Sequence, residues 1–143
     1  QVLTSGGTGV APTFQAAASG GADTSLSNLT ATGEQMVGKA WVNFNGSGTL
    51  AIQDSYNVSS VTDNSIGNYT VNFSNNMANA NFTSVITAGN WEETQTDSYC
   101  VASLYDTASG QAVGSQRFVT TRLDGNYGNF KDPKTVCCLF FGD

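Results

Sequence analysis

"KAWVNFNGSG", Lys39 to Gly48, alternates apolar and polar side chains and then stops at a glycine turn. Period two is the spacing of a strand with one buried face, because successive side chains of a strand point to opposite sides. The stretch carries no acid, thiol or imidazole. It reads as structure, and it sets the pattern for the residues after it.

From Lys39 onward short runs of β-branched and aromatic residues are separated by Gly, Asn, Asp and Ser clusters, the signature of an antiparallel sandwich or barrel. Strands are expected over Ala40 to Asn45, Thr49 to Val58, Ser60 to Asn64, Asn68 to Phe73, Phe82 to Ala88, Tyr99 to Asp106, Arg117 to Leu123 and Thr135 to Phe141. In "SSVTDNSIGNYTVNF", Val61 and then Tyr69, Val71 and Phe73 flank a turn of Asp63 to Gly67, which predicts a hairpin. "LYDTASGQAV" predicts another turn. Apolar residues on one face and Asn, Ser or Thr on the other describe a sheet with one wet face.

Residues 1 to 38 differ: Gly, Ala, Ser and Thr surround isolated hydrophobes at Val2, Leu3, Val10, Phe14, Leu26 and Leu29. Such a segment alone buries too little to offset its conformational entropy. An extended neck over 1–38 is expected, with a β-sandwich-like domain over 39–143. The 143 residues suffice for one core of ordinary size.

The polar positions are filled by neutral groups: 14 Asn, 15 Ser, 17 Thr and 16 Gly, against 11% charged residues. Neutral amides and hydroxyls suit turns and wet binding surfaces. The net charge is -6, and Lys39, Arg117, Arg122, Lys131 and Lys134 are the only cations. They are too few to neutralise a row of phosphates, so nucleic acid is excluded as a partner. No stretch reaches the roughly 20 apolar residues of a membrane-spanning helix, and membrane insertion is not expected. The missing initiating Met implies a fragment or processed product.

Reactive constellations are absent. With no His, nucleophilic catalysis lacks its usual base and zinc lacks a ligand. "GEQMVGKA", Gly33 to Ala40, nearly matches a phosphate loop, but Ala40 replaces the magnesium-binding hydroxyl and a strand follows where a helix is required. In "DGNYGNFKD", Asp124, Asn126 and Asp132 only loosely follow calcium-loop spacing, and the closing Glu is missing. Glu92 and Glu93 are the one acid pair a glycosidase could use, yet adjacent residues on a strand diverge. No cofactor, metal or catalytic residue is therefore assigned. Of Cys137 and Cys138 at most one could reach Cys100, and free thiols are the default.

Two loops have the makeup of recognition surfaces: "GNWEETQTDSY", Gly89 to Tyr99, and "DGNYGNFKDPK", Asp124 to Lys134. Aromatic rings there can stack on sugar or peptide faces while amides and acids bond to hydroxyls. The candidates are Trp91, Glu92, Glu93, Tyr127, Asn129 and Phe130.

"KAWVNFNG", "SYNVSSVTDNSIGNYTVNF" and the closing "FFGD" resemble the C-terminal domain of many phage and prophage tail fibre proteins. The opening "QVLTSGGTGVAPTFQAA" resembles a linker motif that recurs along such fibres. "NSIGNY" departs from the family's usual N-G-T-G-D-Y, and residues 82 to 134 share only the strand rhythm. The resemblance implies a virion structural protein, the distal part of a tail fibre that recognises a host receptor and takes no part in catalysis. It also implies a homotrimer, in which three necks would bury Val2, Leu3, Phe14, Leu26 and Leu29. Implied partners are other copies of the chain, other virion tail or fibre proteins, and a host cell-surface glycan or protein. Alternatives are a structural knob, collar or decoration protein of the head or tail without receptor binding, a short capsule depolymerase, and an adhesin or prophage remnant outside any virion.

Overall fold

The computed structural model describes residues 2–4, 8–9, 13–15, 37–89, 100–105, 110–122 and 129–142. The chain divides into two units, Gln1–Thr30 and Ala31–Asp143. In the first, β1 (Val2–Thr4) and β2 (Thr13–Gln15) pair antiparallel, with Leu3 opposite Phe14. This hairpin was not expected from a segment so rich in Gly, Ala and Thr. Leu26 and Leu29 lie outside the described residues, as does Val10.

The second unit is all-β among its described residues and sandwich-like, built from two antiparallel sheets. Its strands are β3 (Gly38–Asn45), β4 (Ala51–Tyr56), β5 (Val58–Ser65), β6 (Asn68–Phe73), β7 (Thr83–Gly89), β8 (Cys100–Leu104), β9 (Gln111–Ala112), β10 (Ser115–Arg122) and β11 (Thr135–Phe141). The first sheet has the order β4-β3-β11-β7. The second has the order β5-β6-β10-β8, with the short β9 also paired to β10.

Alternation puts Ala40, Val42 and Phe44 of β3 and Val136, Cys138 and Phe140 of β11 into the core. Tyr69, Val71 and Phe73 of β6 and Phe118 of β10 meet them from the second sheet. The rings interlock edge to face: Phe44 with Tyr69 at 5.2 Å and 70°, and Phe73 with Phe140 at 5.0 Å and 73°. Such pairs add about 0.5–1.5 kcal/mol each beyond the area they bury. Cross-sheet ring contacts of this kind fix the sheet spacing and hence the platform on which the loops stand.

One expected strand proves to be two. The run Thr49 to Val58 breaks at Asn57, which takes a left-handed backbone with φ of 54°. Asn tolerates this conformation better than other non-glycine residues. Here its side chain holds the corner as well. Nδ2 donates to the carbonyls of Lys39 at 3.1 Å and Asn75 at 3.2 Å, and Oδ1 accepts from the Asn75 N–H at 2.8 Å. The chain thereby leaves the first sheet as β4 and enters the second as β5.

Register fixes the two ends of the sandwich. At one end β3 enters at Gly38, opposite Phe141. At the other lie Asn45 of β3, the Gly89 and Thr135 pair, the β5–β6 turn, and the Cys100 and Arg122 pair. Segments 90–99 and 123–128 therefore both join strand ends at the end remote from Gly38.

Candidate functional site

The remote end is held by one carboxylate. Asp132 precedes Pro133, a position that favours extended backbone. Its Oδ1 accepts the Tyr69 hydroxyl at 2.6 Å and the Gly67 N–H at 2.6 Å. The buried Pro133 turns its carbonyl to the Gly46 N–H at 2.9 Å, which joins the β3–β4 turn to the same knot. Burial, and then the bond to Asp132, push the Tyr69 phenol well above its ordinary range. Asp132 is thus an internal acceptor joining loops from both sheets.

Residues just before Asp132 continue the second sheet. Beyond Val119, where β6 ends its pairing with β10, Thr121 bridges to Phe130. Arg122 N–H donates to Asn129 O at 3.0 Å, and Lys131 N–H donates to Thr120 O at 3.1 Å. Asn129 and Phe130 are accordingly fixed by backbone bonds and exposed, Phe130 by 46%. The β5–β6 turn abuts this strip: a Cβ on Gly67 would meet the Lys131 N at 2.7 Å. Ile66, one residue from that contact, is 64% exposed. Trp91, Glu92, Glu93 and Tyr127 lie outside the described residues.

The outer face of the second sheet was not singled out by the sequence. Its rows run Val101, Thr121, Phe130; then Ser103, Val119, Asn68; then Tyr105, Arg117, Thr70, Thr62. Arg117 is the one charged side chain in these rows. Its guanidinium lies 4.1 Å from the Tyr105 ring centroid, and its Nε donates to Asn68 Oδ1 at 2.9 Å. Asn64 Nδ2 donates to Thr70 Oγ1 at 2.9 Å, and Asn72 Nδ2 donates to Ser60 Oγ and Thr62 Oγ1 at 3.0 Å each. Amides bonded to their neighbours in this way hold fixed directions. A period-two count finds the exposed face; it does not reveal that Tyr105 and Asn68 converge on one arginine.

Among the described residues no cluster of three His, Cys, Asp or Glu could hold a metal. The three cysteines are free: Cys138 buried, Cys137 exposed and Cys100 between these extremes. Burial pushes the thiols of Cys138 and Cys100 up, with Arg122 and Lys131 opposing the shift at Cys100. No protein-family model, curated protein or solved structure matches the chain.

Proposed function

We propose that this chain is the distal part of a phage tail fibre, a virion protein that recognises a host cell-surface glycan or protein and performs no catalysis. The observation that carries the reading is the polarity of the sandwich. The chain enters at Gly38, and segments 90–99 and 123–128, which contain Trp91, Glu92, Glu93 and Tyr127, connect strands at the other end, beside exposed Asn129 and Phe130. A domain held at Gly38 has the strand ends that flank these segments at its far end. The motifs "KAWVNFNG" and "QVLTSGGTGVAPTFQAA", with their likeness to fibre proteins, supply the virion context. Rigid scaffolds with functional loops at one end are the common arrangement for binding domains.

The assembly proposed is a homotrimer joined through Val2, Leu3, Phe14, Leu26 and Leu29, attached to other tail or fibre proteins. Three weak sites on one particle raise avidity by about 10²-fold or more without tight binding at any one of them. Reversible sampling of a cell surface needs that combination.

The test is adsorption of purified protein to host cells, together with immunogold labelling of particles by an antibody against residues 39–143. Label at fibre ends and weakened adsorption by Trp91→Ala and Tyr127→Ala are expected, with unfolding midpoints unchanged. Label on the head or collar would overturn the fibre-tip reading. Undiminished adsorption in both variants would remove the two loops from it.

A further inference from the structure

We propose that the outer face of the second sheet binds an acidic saccharide, whose carboxylate seats on Arg117 and whose hydroxyls bond to the amides and hydroxyls around it. The inference rests on the receptor-recognition reading and names a ligand class for it. Arg117 is a charge in an unusual setting. On a chain of net charge -6, the rows Tyr105, Arg117, Thr70, Thr62 and Ser103, Val119, Asn68 contain one guanidinium and no carboxylate.

The guanidinium is already oriented. Tyr105 covers one of its faces and Asn68 takes Nε. Among the described residues neither Nη nitrogen has an acceptor, which leaves the terminal edge of the fork open to a ligand on the side they form. That edge is the one that grips a carboxylate through parallel N–H bonds. Because the side chain is held in advance, little rotamer entropy remains to be lost on binding.

The surroundings choose a saccharide over a bare anion. Asn64, Thr70, Asn72, Ser60 and Thr62 form a hydrogen-bonded lattice of neutral donors and acceptors beside the arginine. Such a lattice complements ring hydroxyls at fixed spacing. Phe130 and Val101 add an exposed apolar end to the same face, flanking Thr121. A sugar ring needs both kinds of contact, since its faces are apolar and its rim is polar.

The experiment is a titration of the full chain with a hexuronate trisaccharide followed by calorimetry or NMR. A neutral hexose trisaccharide and sodium sulfate at matched ionic strength serve as comparisons. Binding of the hexuronate at least about tenfold tighter than the neutral sugar is expected, from the worth of one charge-assisted pair. Arg117→Gln should weaken it by about tenfold to a hundredfold. Arg117→Lys keeps the charge and loses the fork, and should fall between. Thr83→Ala, on the other sheet, should change nothing, and unfolding midpoints identify any variant that fails to fold.

Equal affinity for the neutral sugar, sulfate competing as well as the hexuronate, or undiminished binding by folded Arg117→Gln or Arg117→Lys would each overturn the proposal. Absence of hexuronate binding would do the same. Adsorption to host cells that persists in that case would leave the fibre-tip reading standing. Arg117-dependent binding by a protein that does not adsorb to host cells would retain the saccharide site and remove that reading.

Discussion

Tyr69 and Asp132, 63 positions apart, share a hydrogen bond of 2.6 Å in which the phenol of a core strand is the donor and the carboxylate of a loop is the acceptor. The same oxygen takes the Gly67 N–H, so one side chain ties the β5–β6 turn, the core and the segment before β11 together. Asn129 and Phe130 lie three and two residues before Asp132, and their own backbone contacts with Arg122 and Thr121 hold them.

Removing the acceptor should cost more than removing the donor. Asp132→Ala leaves the Gly67 amide unsatisfied and the Tyr69 hydroxyl with only its 3.4 Å contact to the Gly46 carbonyl, and should destabilise the domain by about 2–3 kcal/mol in urea unfolding. Tyr69→Phe leaves the Gly67 bond in place and should cost about 1 kcal/mol. The double variant should cost less than the sum, because the two changes break one shared bond. Strict additivity would show that the bond contributes nothing.

Alkaline pH should destabilise the domain in two stages. Folding raises the Cys138 thiol and the Tyr69 phenol above their ordinary values, so the folded chain keeps protons that the unfolded chain releases. The stabilisation is complete below the unfolded pKa values, about 8.5 for Cys and about 10 for Tyr, and declines as pH rises past them. Thermal midpoints measured from pH 8 upward should fall less steeply above about pH 10 in Tyr69→Phe. Cys138→Ala should flatten the portion that begins near about 8.5. An unchanged slope in Tyr69→Phe would assign the loss to other groups.

Gly67 should tolerate no side chain. Its φ of 62° lies in the left-handed region, and a Cβ there would stand 2.6 Å from the Thr120 carbonyl and 2.7 Å from the Lys131 N. Both neighbours are backbone and cannot swing aside. Gly67→Ala should cost about 2 kcal/mol or more and should loosen amide protection at Lys131 in hydrogen exchange. At Gly48, where φ is 70° but nothing lies within 4 Å, the same change should cost only about 1 kcal/mol.

The vicinal cysteines should behave oppositely. Cys137 faces solvent and Cys138 faces Val42 across the pair within the core. A charged disulfide reagent should label Cys137 in the native protein and reach Cys138 only after unfolding, since reaction needs an accessible thiolate. Cys138→Ser should lower stability by about 1–3 kcal/mol, whereas Cys137→Ser should leave it within about 0.5 kcal/mol. Equal labelling of both thiols in the native state would contradict the buried environment assigned to Cys138.

Much of the sandwich was readable because its inner strands obey period two without interruption. Asn68 to Phe73 and Thr135 to Phe141 were read at their observed limits, since each is bounded by residues that favour a turn. Thr49 to Val58 reads as one strand and is two, because Asn57 breaks it through its backbone and a side-chain bond to Lys39, 18 positions away. The two-residue β9 was missed, as such a pair has no periodicity to detect. At the candidate site, Asn129 and Phe130 were named for their residue types, and both are exposed. Arg117 was not named: its distinction comes from Tyr105 and Asn68, which reach it across neighbouring strands.

Gly38 opens β3, and β3 lies between β4 and β11 in the first sheet. A pull applied at Gly38 against an attachment at the remote end runs along this inner strand, at right angles to the bonds on both its sides. Those bonds are then loaded together in shear, whereas an edge strand peeled from its end would lose them one by one. Under the proposed fibre-tip role, with a cell surface at one end and a particle pulling on the other, the ordering β4-β3-β11 would resist that load.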